Sequence, residues 1–173
     1  AATGTGHGTD RAIVAGLLDM EPDDRRIPGS LQLAREAGMA VDIHPVELRH
    51  AHPNTAVLNL ITSQGRPLSI SASSLGGGRI RVNAIDGMEA SFSGDSPTLI
   101  IRNEDRPGIV AEVSRILSGG NANIATMQLY RDRRGGLAVM VLEGDSPLPP
   151  PLLRQLGGLD GVVRCTYLDM EGA

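Results

Sequence analysis

Lysine is absent from this 173-residue chain, aromatic residues make up only 2% of it, and cysteine occurs once, at Cys165. Each shortage excludes something. A single cysteine makes no internal disulfide and no multi-cysteine metal centre, which points to a reducing, cytoplasmic setting. With so few aromatic rings, the core has to be built from Val, Leu, Ile, Ala and Met, and there is no stacking platform for nucleic-acid bases. A formal charge of −4, with no dense basic block, argues the same way: nucleic acid is not the expected partner. No apolar run approaches the roughly 20 residues that a membrane span requires. The first residues carry neither a basic nor an apolar signal region, so no secretory leader is expected. The absence of lysine is a compositional bias to which we attach no function.

What is present divides near Gly94-Asp-Ser-Pro97. In the second half, Thr98–Arg102 reads as a buried strand and Ile109–Leu117 has helical apolar spacing. Strands are expected at Ala122–Tyr130 and Leu137–Leu142, joined by a hairpin turn at Arg131–Gly136. Pro147–Pro151 forms a loop whose last proline suits a helix start, with Leu152–Leu156 continuing the helix. Val162–Leu168 closes the order. This βαββαβ series is the ferredoxin-like arrangement, with helices on one face of a sheet. In the first half, Thr9 is expected to cap a helix running to about Leu18, and Asp10 suits that helix's positive first turn. Ser30 precedes a second helix that stops at Gly38. Strands are expected at Val41–Leu48, Thr55–Thr62, Leu68–Ala72, Ile80–Ile85 and Glu89–Ser93. The fold class is α+β, with a small α+β domain over residues 1–94 and a ferredoxin-like domain over 97–173.

Four loops combine residues suited to binding. Gly4-Thr-Gly-His-Gly-Thr-Asp10 surrounds His7 with glycines ahead of a helix, where a loop can approach a ligand and offer backbone donors. It lacks the spacing of a dinucleotide fingerprint. His50-Ala-His52-Pro-Asn-Thr55 brings two imidazoles close, with Pro53 holding His52 extended, although no further metal ligands are evident. Ser74-Leu-Gly-Gly-Gly78 frees N–H groups that can cradle a carboxylate, or serves as a simple turn. Asn103-Glu-Asp-Arg-Pro-Gly108 ends a strand and opens a helix, where unpaired N–H groups meet a small anion. Cys165 is expected to pack in a core strand, and the arginine-rich turn at Arg131–Arg134 to be a solvated tip.

Taken in order, these four motifs resemble the β subunit of bacterial iron–sulfur L-serine dehydratase, over almost the whole chain. The resemblance implies conversion of L-serine to pyruvate and ammonia, with a 4Fe-4S cluster held by cysteines of an α subunit and not by this chain. It implies that residues 1–94 are an N-terminally incomplete allosteric-substrate-binding-type region and that 97–173 form an ACT domain. In that family, a segment of about fifty residues with a Ser-rich, His-containing motif comes before the part matched here. This chain alone is therefore expected to be inactive. By the same resemblance His7, Thr9, Asp10 and His52 are catalytic candidates, and Ser74, Gly76, Gly77 and Gly78 line the substrate. Asn103, Asp105, Gly108 and Asn123 would bind an effector, L-serine or another small amino acid, where two ACT domains of a homodimer meet. The alternative is a non-catalytic amino-acid-sensing module of another enzyme, such as a phosphoglycerate-dehydrogenase-like protein. A metal scaffold through His50 and His52 is a third reading.

Overall fold

The computed structural model describes residues 8–63 and 65–169. The chain divides into two compact units, one ending at Ala51 and one beginning at His52. The boundary expected at 94–97 lies inside the second unit, where it separates two antiparallel sheets.

The first unit holds helix α1 (Thr9–Leu17), a 3-10 turn at Ile27–Gly29 and helix α2 (Ser30–Glu36). Thr9 does not cap α1. Gly8 takes that position at φ 71°, with no side-chain cap bond, and Thr9 becomes the first helical residue. Asp10 lies in the first turn as expected. Ser30 begins α2 rather than preceding it; its buried hydroxyl donates to the Arg11 carbonyl at 2.8 Å and ties the two helices together. Both helices end in paired reverse bonds. Met39 and Gly38 donate to the Ala34 and Arg35 carbonyls, and Met20 and Asp19 to those of Ala15 and Gly16. These satisfy carbonyls that a helix end leaves open. The strand expected at Val41–Leu48 does not form. Val41, Ile43, Val46 and Leu48 are exposed, and among the described residues of this unit no strand supplies the ladder that alternating side chains alone cannot provide.

In the second unit β1 (Thr55–Ile61), β2 (Pro67–Gly76), β3 (Arg79–Ile85) and β4 (Met88–Phe92) form a meander in that order. Then come β5 (Thr98–Glu104), α3 (Ile109–Gly119), β6 (Ile124–Arg131), β7 (Leu137–Gly144), α4 (Pro150–Gly157) and β8 (Val162–Leu168). The second sheet has the order β6-β7-β5-β8 and is antiparallel throughout, which is the arrangement expected for βαββαβ. Helices α3 and α4 cover one face through Val113, Ile116, Leu117, Leu152 and Leu156, packed on Leu99, Ile101, Met140 and Leu142. Val82, Met88, Ala90 and Phe92 of the meander cover the other face at Ile100, Val139 and Val141. β5 and β7 are thus buried on both sides, which is why Leu137–Leu142 reads as an unbroken apolar run rather than an alternation. Among the described residues, no helix is long and apolar enough to cross a membrane.

Candidate functional site

His7 lies outside the described residues. Thr9 is exposed on α1 of the first unit. Beside it in sequence, Asp10 has a buried Oδ1 with no hydrogen-bond partner.

His52 and the glycine-rich turn meet at one end of the meander. Thr55 pairs with Ser73 across β1 and β2, and the Ser74 N–H donates to the Asn54 carbonyl at 2.9 Å. The Thr55 hydroxyl is within 2.7 Å of both the His52 carbonyl and Ser73 Oγ, and Asn83 Nδ2 donates to that same Ser73 oxygen at 2.7 Å. This network holds the His52 loop on the sheet. The Asn54 N–H donates to His52 Nδ1 at 3.2 Å, so the neutral ring carries its proton on Nε2, which points that nitrogen's chemistry toward donation. Gly76, Gly77 and Gly78 all have positive φ, at 85°, 63° and 75°. No Cβ would collide there, so the glycines are required by backbone conformation rather than by space.

The β5–α3 loop forms a second cluster at the end of β5. Asn103 is fully buried; its Nδ2 donates to the Glu104 carbonyl at 2.7 Å, while its Oδ1 has no partner. Gly108 stands at the start of α3 with φ 95°. Asp105 is already engaged: its Oδ2 accepts the Gly135 N–H at 3.0 Å and Arg131 Nη1 at 3.3 Å. It therefore joins the loop to the β6–β7 turn, and Arg131 is not merely part of a solvated tip. Arg106 reaches the other way, donating to the Asp160 carbonyl and, at 2.8 Å, to its Oδ2. Asn123 lies at the opposite end of this sheet. It donates to Asp145 Oδ2 at 2.6 Å, and its carbonyl abuts Gly144, whose N–H bonds to Pro97 beside the start of β5. Within one chain Asn103, Asp105 and Gly108 come together, and Asn123 does not join them.

Sequence reading missed the partners that fix these loops. Arg106–Asp160 and Arg102–Asp86 span 54 and 16 residues, and Ser73 with Asn83 joins neighbouring strands. Only the Asp86-Gly87 turn carried a local signal, and it gave no hint of Arg102. Cys165 sits half-buried in β8, where burial pushes its thiol above the ordinary range. It stays protonated near neutrality and is a poor nucleophile or ligand there. Burial also raises the Tyr167 phenol, against the opposing effect of the Leu148 N–H that it accepts at 2.8 Å. Among the described residues, no three His, Cys, Asp or Glu side chains gather in a group able to hold a metal ion. His50 and His52 thus gain no third ligand there, and these residues do not fit an iron–sulfur cluster.

Residues 97–161 match the ACT domain family. The chain is 32% identical over 168 residues to a Bacillus subtilis protein named "Probable L-serine dehydratase, beta chain", covering 97% of this chain and 76% of that one. It is 30% identical over 171 residues to the L-serine dehydratase β chain of Peptoniphilus asaccharolyticus, covering 98% of this chain and 77% of the other. The D-3-phosphoglycerate dehydrogenase of Archaeoglobus fulgidus is 26% identical over 163 residues, covering 92% of this chain but 31% of that protein.

Proposed function

This chain belongs to the L-serine dehydratase β-chain family, and we propose that it acts as the β component of a two-part enzyme converting L-serine to pyruvate and ammonia. The observation that carries this reading is the similarity to two β chains over nearly the whole chain, not over the ACT region alone. An α subunit is then the expected partner and would carry the 4Fe-4S cluster, whose chemistry is to bind and polarise the leaving hydroxyl.

What this chain would contribute is positioning and proton chemistry. Backbone N–H groups around Gly76–Gly78 suit a substrate carboxylate, and Ser74 lies at the same turn. His52, with Nδ1 accepting from Asn54, offers Nε2–H as a donor to substrate oxygen. Abstraction of the α proton then falls to another group, for which His7 is the candidate, with Thr9 and Asp10 shaping its surroundings. Anaerobic co-expression with an α chain tests this. Active parent complex with a His52→Ala version at least ~100-fold lower in kcat/KM is the expected outcome, in the range of lost general acid–base function. Unchanged kcat/KM for both His7→Ala and His52→Ala would overturn the assignment.

The ACT region would bind a small amino acid at the β5–α3 loop. Its carboxylate meets the N–H groups at the start of α3, and Asn103 Oδ1 is an acceptor for its ammonium. Asp105 shapes the loop rather than meeting the ligand. Asn123, at the far end of the sheet, can join such a pocket only from a second copy, so the reading includes a homodimer. Titration with L-serine should give saturable heat that Gly108→Ala weakens; no heat at millimolar L-serine would remove this effector. A second reading has one specific observation behind it: the archaeal dehydrogenase is similar across 92% of this chain. It makes the chain a sensing module, and failure of every α chain to yield dehydratase activity, with L-serine still binding, would favour it.

A further inference from the structure

At the end of β5 consecutive side chains leave the strand on opposite faces. Ile100 packs on the meander and Ile101 under the helices, and strand alternation continues this with Arg102 and Asn103. Asn103 therefore belongs to the β5–α3 loop, while Arg102 crosses to the meander, where its Nη1 donates to Asp86 Oδ2 at 2.6 Å. Asp86 lies in the turn between β3 and β4 and is tied twice to β2. Its Oδ1 accepts the Ser69 N–H at 3.0 Å, and its own N–H donates to the Ser69 carbonyl at 2.7 Å. The Ser69 hydroxyl in turn donates to Asn59 Oδ1 on β1 at 2.9 Å. One line of bonds thus runs from the residue beside Asn103, through the β3–β4 turn, to β2 and the edge strand β1.

Arg102 depends on this contact. Asp86 is its one side-chain partner among the described residues, and its Nε is buried without any. The two side chains are largely shielded from water, at 29% and 18% exposure, so salt screens the pair less than it does a surface pair. Directly across the ladder, on the same face, stands Arg164 of β8, and like charges so placed repel. The ladder is also interrupted at this step. Arg102 faces Arg164 and Asn103 faces Val162, which leaves Val163 as a bulge. Without the Asp86 carboxylate, Arg102 keeps an unpaired buried Nε and an unopposed repulsion, beside a break in the ladder. The end of β5 then loosens, and Asn103 with it.

We propose that the Arg102–Asp86 pair is a coupling device that passes ordering of the β5–α3 loop to the meander, and loosening of the meander back to the loop. Coupling is reciprocal: a pair that lets a ligand at the loop order the meander also lets the meander strengthen that ligand. The ligand rests on the reading above, in which the loop binds a small amino acid; the link between loop and meander does not. The far end of β2 is the Gly76–Gly78 turn, so the device joins the regulatory loop to the sheet that carries His52.

Amide hydrogen exchange of the whole chain, without and with saturating L-serine, tests this in the parent, Asp86→Asn and Ser73→Ala. Asp86→Asn keeps the side chain's shape and an acceptor for the Ser69 N–H, and removes the charge that holds Arg102. Ser73→Ala loosens the meander at a site with no bond to Arg102, and so controls for general destabilisation. Without ligand, Asp86→Asn should speed exchange of the Glu104 and Asp105 amides, which donate to the Gly161 and Gly136 carbonyls, by about threefold or more, on the scale of an ion pair. Ser73→Ala should leave these two amides nearly unchanged. Parent-like exchange in Asp86→Asn, or equal acceleration by Ser73→Ala, overturns the proposal. With L-serine, exchange at the Ser69 amide should slow in the parent, whereas in Asp86→Asn slowing should stay within the β5–α3 loop. L-serine that binds without slowing Ser69 in the parent, or slows it equally in Asp86→Asn, also overturns it. A lack of L-serine binding removes that effector alone, because the ligand-free comparison still decides the link.

Discussion

The two sheets of the second unit are held by different physics. In the β5–β8 sheet, β5 and β7 are buried from both sides, by the helices on one face and by the meander on the other. In the meander only β4 is largely buried. β1 keeps Val57, Asn59 and Ile61 exposed, and its attachment relies on side-chain bonds such as Thr55–Ser73 and Ser69–Asn59. One sheet is fixed by exclusion of water, the other by a polar network along one layer. The difference matches the proposed division of labour: a rigid platform under the β5–α3 loop, and a more exposed sheet presenting loops to substrate and partner.

The contrast can be broken most forcefully at Ile101, which is fully buried on the helix side of β5. Ile101→Ala should lower unfolding free energy by about 2–5 kcal/mol, the usual cost of emptying a core site. Val57→Ala, on the exposed face of β1, should cost under ~1 kcal/mol. Urea denaturation of both variants measures this, and equal losses would show that the meander is as tightly packed as its neighbour. Ser73→Ala removes a buried hydroxyl that serves Thr55 and Asn83, and should cost about 1–3 kcal/mol in the same assay. A loss below ~0.5 kcal/mol would deny the network its structural role.

Gly108→Ala probes backbone conformation alone, because no atom crowds a Cβ there. At φ 95° the substitution should cost about 1–2 kcal/mol and weaken L-serine binding with it. The smallest effect lies outside both sheets. Arg26 holds the half-buried Asp24 carboxyl below its ordinary range, chiefly through side-chain hydrogen bonds. The depressed carboxyl adds stability above its unfolded value near ~3.9, and this is lost as pH falls through the folded value. Acid unfolding of Asp24→Asn should therefore lack a slight stability gain between the folded value and about pH 5 that the parent shows; identical curves would mean that solvent screens the pair fully.

Much of this was legible in local pattern. Gly38 ends α2, the βαββαβ order is that of the second sheet, and β8 has the expected limits of Val162–Leu168. Where local pattern misled, an unseen neighbour was responsible. Val41–Leu48 has strand-like alternation but no strand to pair with. Asp105 gave no local sign of its structural partners, yet its Oδ2 meets Gly135 and Arg131, 30 and 26 residues away. The grouping of Asn103 with Gly108 followed from one loop, whereas the separation of Asn123 depends on strand order.

By itself, the sequence determined the element types, the aliphatic core, the lack of an internal disulfide and the family resemblance, because periodicity, composition and motif order are properties of neighbouring residues. Only the tertiary structure decided that a second layer covers the far face of the β5–β8 sheet, that Asp105 and Arg106 brace their loop, and that Arg102 meets Asp86 while facing Arg164. Those outcomes depend on which distant groups share a face, and hydrogen bonds and charges act over a few ångströms of space, whatever their separation along the chain.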